Sequence, residues 1–232
     1  MKLSCLFPAE RVAQVGEKGF FPSLIGVIAA YLSPKKGKAL LGLFIGLLFG
    51  AFTLALLALA LILLGAYAYG GFASVKVMPV LLLFLFYLLQ GSLEELLCRG
   101  ILMPALSLHL GGGAAAVGSA VFFSLMHIEN PGVTPLALLN VFLFGLWFAS
   151  VAQRSQSLFP VFGLHAGWNF AESIFGLQIS GITSPHALLH LESRISWLSG
   201  GAFGPEGSPI LTVFLLLFLA LPLLFAQKKE NR

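Results

Sequence analysis

Long unbroken apolar runs constrain this chain more than any other feature of its sequence. Residues 39–65, for example, contain no charged side chain. Charged residues make up only 9% of the whole chain, whereas a soluble domain carries about a quarter. That share is too small to solvate a globule, so lipid must cover much of the surface. The sequence therefore predicts an integral membrane protein.

Only α-helices and closed β-barrels satisfy their backbone polar groups inside lipid. Barrel strands alternate polar and apolar residues, and the apolar runs of this chain do not alternate. At about 20 apolar residues per crossing, the sequence predicts an all-α fold, a polytopic transmembrane helix bundle of about six spans and up to about eight helices with interfacial ones included. The predicted spans are 39–65, 77–103, 114–132, 134–152, 157–179 and 208–226.

We expect one transmembrane helical domain over residues 39–226, with a catalytic core at about 77–175. Residues 1–38 are expected to form a cytoplasmic or interfacial segment. Within this segment, residues 20–32 are too few to span the membrane and favour an interfacial or re-entrant helix. Residues 227–232 are expected to form a basic cytoplasmic tail.

The distribution of basic residues predicts the orientation of the bundle. Of the 13 Lys and Arg residues, only Lys76 and Arg194 fall on the side opposite the termini. Cytoplasmic loops carry the excess of Lys and Arg, so we expect both termini to be cytoplasmic and the protein to lie in the plasma (inner) membrane. The long polar loop of residues 180–207 then lies on the other side. No basic patch is interleaved with aromatics, so no nucleic acid partner is expected.

Ionisable side chains within the apolar runs are the candidate functional residues. A charge at mid-membrane costs roughly 2.5–3.5 kcal/mol on insertion scales, so such residues normally face the bundle interior. Glu95 and Arg99 are four residues apart, which places them on one helix face as an ion pair. Glu94 points about 100° away from Glu95 and lacks that partner, so it suits general acid–base work. The alternative is that both glutamates reach the cytoplasmic interface.

A second cluster ends at His127, which alone is more often a packing residue than a catalyst. Gly111, Gly112 and Gly113 lie between the two clusters and are the natural turn of a helical hairpin. Glu94 precedes Gly111 by 17 residues and His127 follows it by 16, which corresponds to about 26 and about 24 Å of helix. The two side chains are therefore expected at similar depth on antiparallel neighbours.

The third cluster is His165 and Asn169, which are four residues apart and share a helix face. From the turn near Gln156, His165 lies about 13 Å deep. Hydrogen bonding between packed helices is the alternative interpretation. Glu172 lies on much the same face and is assigned no role. Together the clusters place one carboxylate, two imidazoles and one amide at a common depth in the cytoplasmic leaflet, a set that suits hydrolysis.

In order and spacing, these residues resemble the three motifs of the CAAX protease and bacteriocin-processing (CPBP, or Abi) intramembrane proteases. The resemblance covers roughly residues 77–175, and its motifs are Glu94-Glu95-x-x-x-Arg99, Phe123-x-x-x-His127 and His165-x-x-x-Asn169. It implies an intramembrane endopeptidase that hydrolyses a peptide bond in a membrane-tethered protein or peptide, with a site that opens toward the cytosol.

The resemblance also implies a role for each motif residue. Glu94 would activate the attacking water with His127. The oxyanion of the tetrahedral intermediate would be stabilised by His165 and Asn169. The supporting residues would be Glu95, Arg99 and Phe123.

The resemblance favours a glutamate mechanism without a metal or another cofactor. The residues alone leave zinc open, because Glu94, His127 and His165 supply three ligands of types that zinc accepts.

The sequence excludes several other membrane-embedded proteases. It contains no aspartate, no His-Glu-x-x-His and no Gly-x-Ser-x-Gly, the residues that aspartyl, site-2-type zinc and rhomboid-like serine proteases would need. Two other functions stay open. One is a small transporter or ion-coupled carrier that uses Glu94, Glu95 and Arg99 as a relay. The other is a non-catalytic immunity or scaffold protein that keeps the pocket without turnover.

Overall fold

The computed structural model of the protein describes residues 20–32, 38–184 and 186–230. The predicted segment 1–19, with its basic residues, lies outside them. The helices are α1 (Phe20–Leu32), α2 (Lys38–Leu63), α3 (Val77–Glu95), α4 (Met103–Leu125), α5 (Pro135–Ser155), α6 (Phe159–Ile174), α7 (Ser196–Ser199) and α8 (Pro209–Glu230). The strands are β1 (Tyr67–Phe72), β2 (Gln178–Ile179), β3 (Ile182–Thr183) and β4 (Leu189–Ser193).

The helices confirm the predicted all-α membrane bundle. In the described part of the chain, three helical segments are long and apolar enough to cross a membrane, namely Lys38–Leu63, Val77–Leu125 and Pro135–Ser155. The predicted span 157–179 is wrong in length, because α6 ends at Ile174. Most of its residues are buried, so α6 is a central helix with little lipid contact. The last helix, α8, continues to Glu230, past the predicted end at residue 226.

The long segment Val77–Leu125 folds back on itself at Gly111, whose φ of 77° and ψ of 163° are not helical. Glycine adopts such backbone angles at little energetic cost. On the two sides of this break, Ser119 Oγ donates to the Cys98 carbonyl at 2.9 Å, so the arms are in contact. The predicted hairpin at the three glycines is confirmed.

The second arm of this hairpin ends earlier than predicted. Helix α4 stops at Leu125 rather than at residue 132, and His127 lies in the turn that follows. The cause lies just downstream. Pro131 disfavours helical backbone at the residue before it, and Gly132 has a φ of 71°.

A π-helical turn over Leu96–Leu102 joins α3 to α4. Pro104 follows it and cannot donate a backbone hydrogen bond, and its ring crowds the carbonyl four residues earlier. A single wide turn relieves this crowding, and such turns are frequent at functional sites. The turn carries Arg99 into the bundle interior.

Glycines let α2 and α6 pack backbone against backbone. A Cβ on Gly46 would lie 2.1 Å from the Pro160 carbonyl oxygen, and one on Gly50 2.1 Å from that of Leu164. On the facing helix, a Cβ on Gly163 would lie 2.0 Å from the Leu43 carbonyl oxygen. The contacts advance in the same direction along both helices, so the two run parallel. Small residues spaced by four are the usual means of close helix approach in membranes.

Two small antiparallel sheets were not predicted, and Gln178–Ile179 of the second sheet fell within the predicted span 157–179. Strand β1 pairs with β4, with Tyr67 opposite Ser193 and Phe72 opposite Leu189. Strand β2 pairs with β3, with Ile179 opposite Ile182. The segment 180–207 is therefore a folded cap on the bundle end where α6 stops and α8 begins.

The glycine contact between α2 and α6 predicts a strong effect of one added methyl group. Gly46→Ala should destabilise the protein by roughly 1–3 kcal/mol, because the helices must move apart to admit it. Thermal unfolding in detergent measures this loss. The matched control is Gly26→Ala in α1, where a Cβ meets nothing within 4 Å. Equal unfolding temperatures for both variants would contradict the packing described.

Candidate active site

A buried ion pair forms the centre of the site. Arg99 Nη1 lies 2.8 Å from Glu95 Oε1, and both side chains are 0% exposed. The two residues are one helical turn apart, as the first motif requires. Arg99 Nη2 donates to the Gly145 carbonyl of α5 at 2.9 Å. The pair thus ties α3 and the π-helical turn to α5.

Two phenylalanine rings cover the Arg99 guanidinium. Its Cζ lies 4.5 Å from the ring centroid of Phe123 and 5.6 Å from that of Phe148. Aromatic faces attract a cation, more strongly where water is excluded. Phe123 therefore contacts the ion pair directly.

His165 lies between the two glutamates of the first motif. Its Nδ1 is 3.1 Å from Glu95 Oε1, and its Nε2 is 3.8 Å from Glu94 Oε2. A carboxylate oxygen accepts, so Nδ1–H donates to Glu95 and fixes the plane of the ring. Glu94 is less enclosed, with 22% of its side chain exposed.

A chain of amide hydrogen bonds joins the third motif to Glu94. Asn169 Nδ2 donates to Gln90 Oε1 at 3.1 Å, and Gln90 Nε2 donates to Glu94 Oε1. An amide nitrogen carries two hydrogens, so Asn169 keeps one for another acceptor. Gln90 therefore binds one carboxylate oxygen of Glu94, while the other oxygen faces His165.

His127 enters the site from the turn after α4. Its Nδ1 lies 2.8 Å from the Phe123 carbonyl oxygen. A carbonyl can only accept, so Nδ1 carries the hydrogen and Nε2 is left for the pocket. The second motif thus sets both the position and the tautomer of this ring.

One pocket contains all four predicted catalytic residues, Glu94, His127, His165 and Asn169. Apolar and aromatic side chains make up most of its walls. They come from α3, α4, α5 and α6 and include Tyr87, Phe123, Phe144, Phe148 and Trp168. A mostly apolar cleft with a few convergent polar groups is the usual form of an enzyme site.

Residues 76–171 match the Rce1-like family of type II CAAX prenyl endopeptidases. The match contains all three motifs and confirms the resemblance inferred from them. No curated protein and no solved structure matches the chain. The Rce1-like family is a protease family, which supports a peptidase and disfavours the carrier alternative.

The Rce1-like region ends at residue 171, but residues beyond it also line the pocket. Its far wall is formed by Ile179, Ser180, Ile182 and Glu206. Ser180 Oγ donates to Glu206 Oε2, and Asn130 Nδ2 donates to the Ser180 carbonyl at 3.0 Å. Burial raises the pKa of the Glu206 carboxyl above its usual range, while Ser180, His127 and His165 act in the opposite direction.

The described residues contain no group of three or more His, Cys, Asp or Glu side chains arranged to hold a metal ion. Glu94 and His165 approach each other. Among the described residues, His127 is not grouped with these two side chains as a third metal ligand.

The sequence predicted the motif residues but not two other residues of the pocket, Gln90 and Glu206. Gln90 had a signal, because it is a polar residue in an apolar helix four positions before Glu94. Glu206 had none, because no spacing rule connects the segment 180–207 with the motifs.

Gln90→Leu should lower the rate of peptide cleavage by about tenfold or more. Loss of a group that orients a catalytic residue reduces the rate by this much even when that group takes no part in the reaction. The measurement is kcat/KM of the protein reconstituted in vesicles. The matched control is Leu89→Ala, whose side chain is 63% exposed on the neighbouring position of α3. An unchanged rate in Gln90→Leu would show that Glu94 does not need this hydrogen bond.

Proposed function

We propose that this protein is an intramembrane endopeptidase that uses Glu94 to activate water against a peptide bond of a membrane-tethered protein or peptide. The observation that carries the proposal is the convergence of Glu94, His127, His165 and Asn169 on one pocket within a region that matches a protease family. A carboxylate, two imidazoles and an amide provide a base, an orienting group and donors for an oxyanion.

In the attack step, Glu94 takes a proton from water while the water oxygen forms a bond to the carbonyl carbon. His127 Nε2 accepts a hydrogen bond from the same water and orients it. The π electrons of the carbonyl move onto its oxygen. This oxyanion accepts hydrogen bonds from the second Asn169 N–H and from Nε2–H of His165, which is doubly protonated in this scheme and keeps its Nδ1–H on Glu95. Such donors act most strongly where water is excluded.

In the breakdown step, the C–N bond breaks and its electron pair goes to nitrogen. Glu94 returns its proton to the leaving amine, which becomes the new N-terminus. The carbonyl reforms as a carboxylic acid that loses its own proton to water. Glu95 and Arg99 take no proton in this scheme. Their role is to hold His165, Phe123 and the helices that carry them.

The proposed mechanism needs no metal ion or other cofactor. Glu94 carries the proton from the attacking water to the leaving amine, the other three residues supply the hydrogen bonds, and the product acid gives its own proton to water. Cleavage by the reconstituted protein should therefore persist in a strong chelator, with metal content measured on the same sample. A rate lost to the chelator and restored by zinc would overturn this part of the proposal.

We further propose that substrate enters from the cytoplasmic side, with both termini in the cytosol and the bundle in the plasma membrane. The excess of basic residues on the side of the termini supports this orientation. In this arrangement the folded segment 180–207 covers the pocket on the non-cytoplasmic side. A membrane-tethered peptide then reaches Glu94 between the helices or from the opposite end.

Glu94→Gln should reduce cleavage of membrane-anchored peptides by at least about a hundredfold, because an amide cannot accept the proton of water. The assay uses a library of such peptides in vesicles with products identified by mass spectrometry. Glu129→Gln, at an exposed glutamate in the turn after α4, is the matched control and should cleave at the wild-type rate. Cleavage that persists in folded Glu94→Gln would contradict the assignment of the base.

A further inference from the structure

A network of hydrogen bonds holds Glu206 in the pocket. Asn140 of α5 donates from Nδ2 to the Glu206 carbonyl at 2.8 Å and to the Ser208 carbonyl at 2.9 Å. Thr212 of α8 in turn donates to Asn140 Oδ1 at 2.6 Å. These bonds fix the backbone of the Pro205–Gly207 turn against two helices. Glu206 is therefore placed with the precision of a core residue, although it comes from a connecting segment.

The Glu206 side chain is fixed as firmly as its backbone. Ser180 Oγ donates to its carboxyl, and Ser180 adopts a φ of 46°. This left-handed backbone is uncommon for a residue other than glycine and marks a position that the surroundings impose. The Ser180 carbonyl is in turn bonded by Asn130, three residues after His127. The carboxyl thus has a defined place in the same pocket as the catalytic residues, with 6% of the residue exposed.

The pocket carries two carboxyl groups and no lysine or arginine among the described residues that line it. Arg99 is turned away, because Glu95 and the Gly145 carbonyl bind its guanidinium. The groups of the pocket that can become positive are His127 and His165, both engaged at the catalytic end by a backbone carbonyl and by Glu95. The wall at Glu206 is left acidic.

We propose that Glu206 is a specificity-determining residue that selects substrates with a positively charged side chain near the scissile bond and disfavours those with a carboxylate there. The proposal rests on the peptidase function proposed above. Among the described residues, the side chain bonded to the Glu206 carboxyl is the neutral Ser180. A substrate ammonium or guanidinium beside this carboxyl favours its ionised form and supplies the cationic partner that a buried carboxylate needs. A substrate carboxylate meets a second acidic group and no cation in a poorly solvated pocket, where charge interactions are strongest.

The Glu206 wall lies outside the part of the chain that matches the Rce1-like family. The proposed specificity therefore depends on a residue outside the matched region.

The test uses the library peptide that wild-type protein cleaves fastest, remade with Lys, Gln or Glu at each position flanking the scissile bond. At one position or more, wild-type protein should cleave the Lys peptide with a kcat/KM at least about tenfold above that of the Glu peptide, with Gln between them. In Glu206→Gln this Lys-to-Glu ratio should fall toward one. In Glu206→Asp, which keeps the charge, the Lys peptide should remain the better substrate.

The matched control is Glu192→Gln, which removes one charge from the same segment at a side chain that is 58% exposed. Its Lys-to-Glu ratio should equal that of the wild type. Equal cleavage of the Lys and Glu peptides by wild-type protein would overturn the inference and leave the peptidase function standing. So would a preference that survives in Glu206→Gln. Folded wild-type protein that cleaves no peptide at all would overturn the proposed function and this inference with it.

Discussion

The buried Glu95–Arg99 ion pair is the interaction on which the rest of the site depends. Taking two charges out of water costs several kcal/mol per ion, and their mutual attraction offsets this only with good geometry and further partners. Here the Gly145 carbonyl and the face of Phe123 stabilise the guanidinium. His165 donates to the carboxylate. These contacts stabilise the buried pair, and the pair in turn fixes the positions of the groups that contact it.

The three sequence motifs are therefore one physical unit. The first motif supplies the ion pair, the second covers it with Phe123, and the third donates to it through His165. The reactive groups lie at the margin of this unit, where Glu94 is partly exposed and His127 and Asn169 face the pocket. The reactive groups, which must be accessible to water and a peptide, are therefore supported by a fully buried ion pair. Such support positions catalytic groups precisely.

Much of this arrangement follows from spacing alone. A separation of four residues placed Glu95 beside Arg99, and the distances of Glu94 and His127 from Gly111 predicted antiparallel arms that meet. What spacing cannot give is the partner of a residue across the bundle. The close approach of Gly46 to Pro160 was not predicted, although glycines at positions 42, 46 and 50 carry its signal.

The segment 180–207 marks the limit of prediction from this sequence. Its polar and glycine-rich composition correctly excluded a span, but composition does not encode which loop atom meets which helix. Glu206 reaches the pocket through the amide of Asn140 and the hydroxyl of Ser180. Each of these bonds joins residues that are far apart in the sequence and obey no periodicity.

The most direct measurement of the central claim is a double-mutant cycle on the ion pair, with Glu95→Gln, Arg99→Met and the double variant compared by thermal unfolding in detergent. Each single variant leaves one buried charge without its partner and should lose roughly 3–5 kcal/mol. The double variant should be more stable than either single variant, because no uncompensated charge remains. If the two single losses simply add in the double variant, the pair is not the constraint that holds the site together.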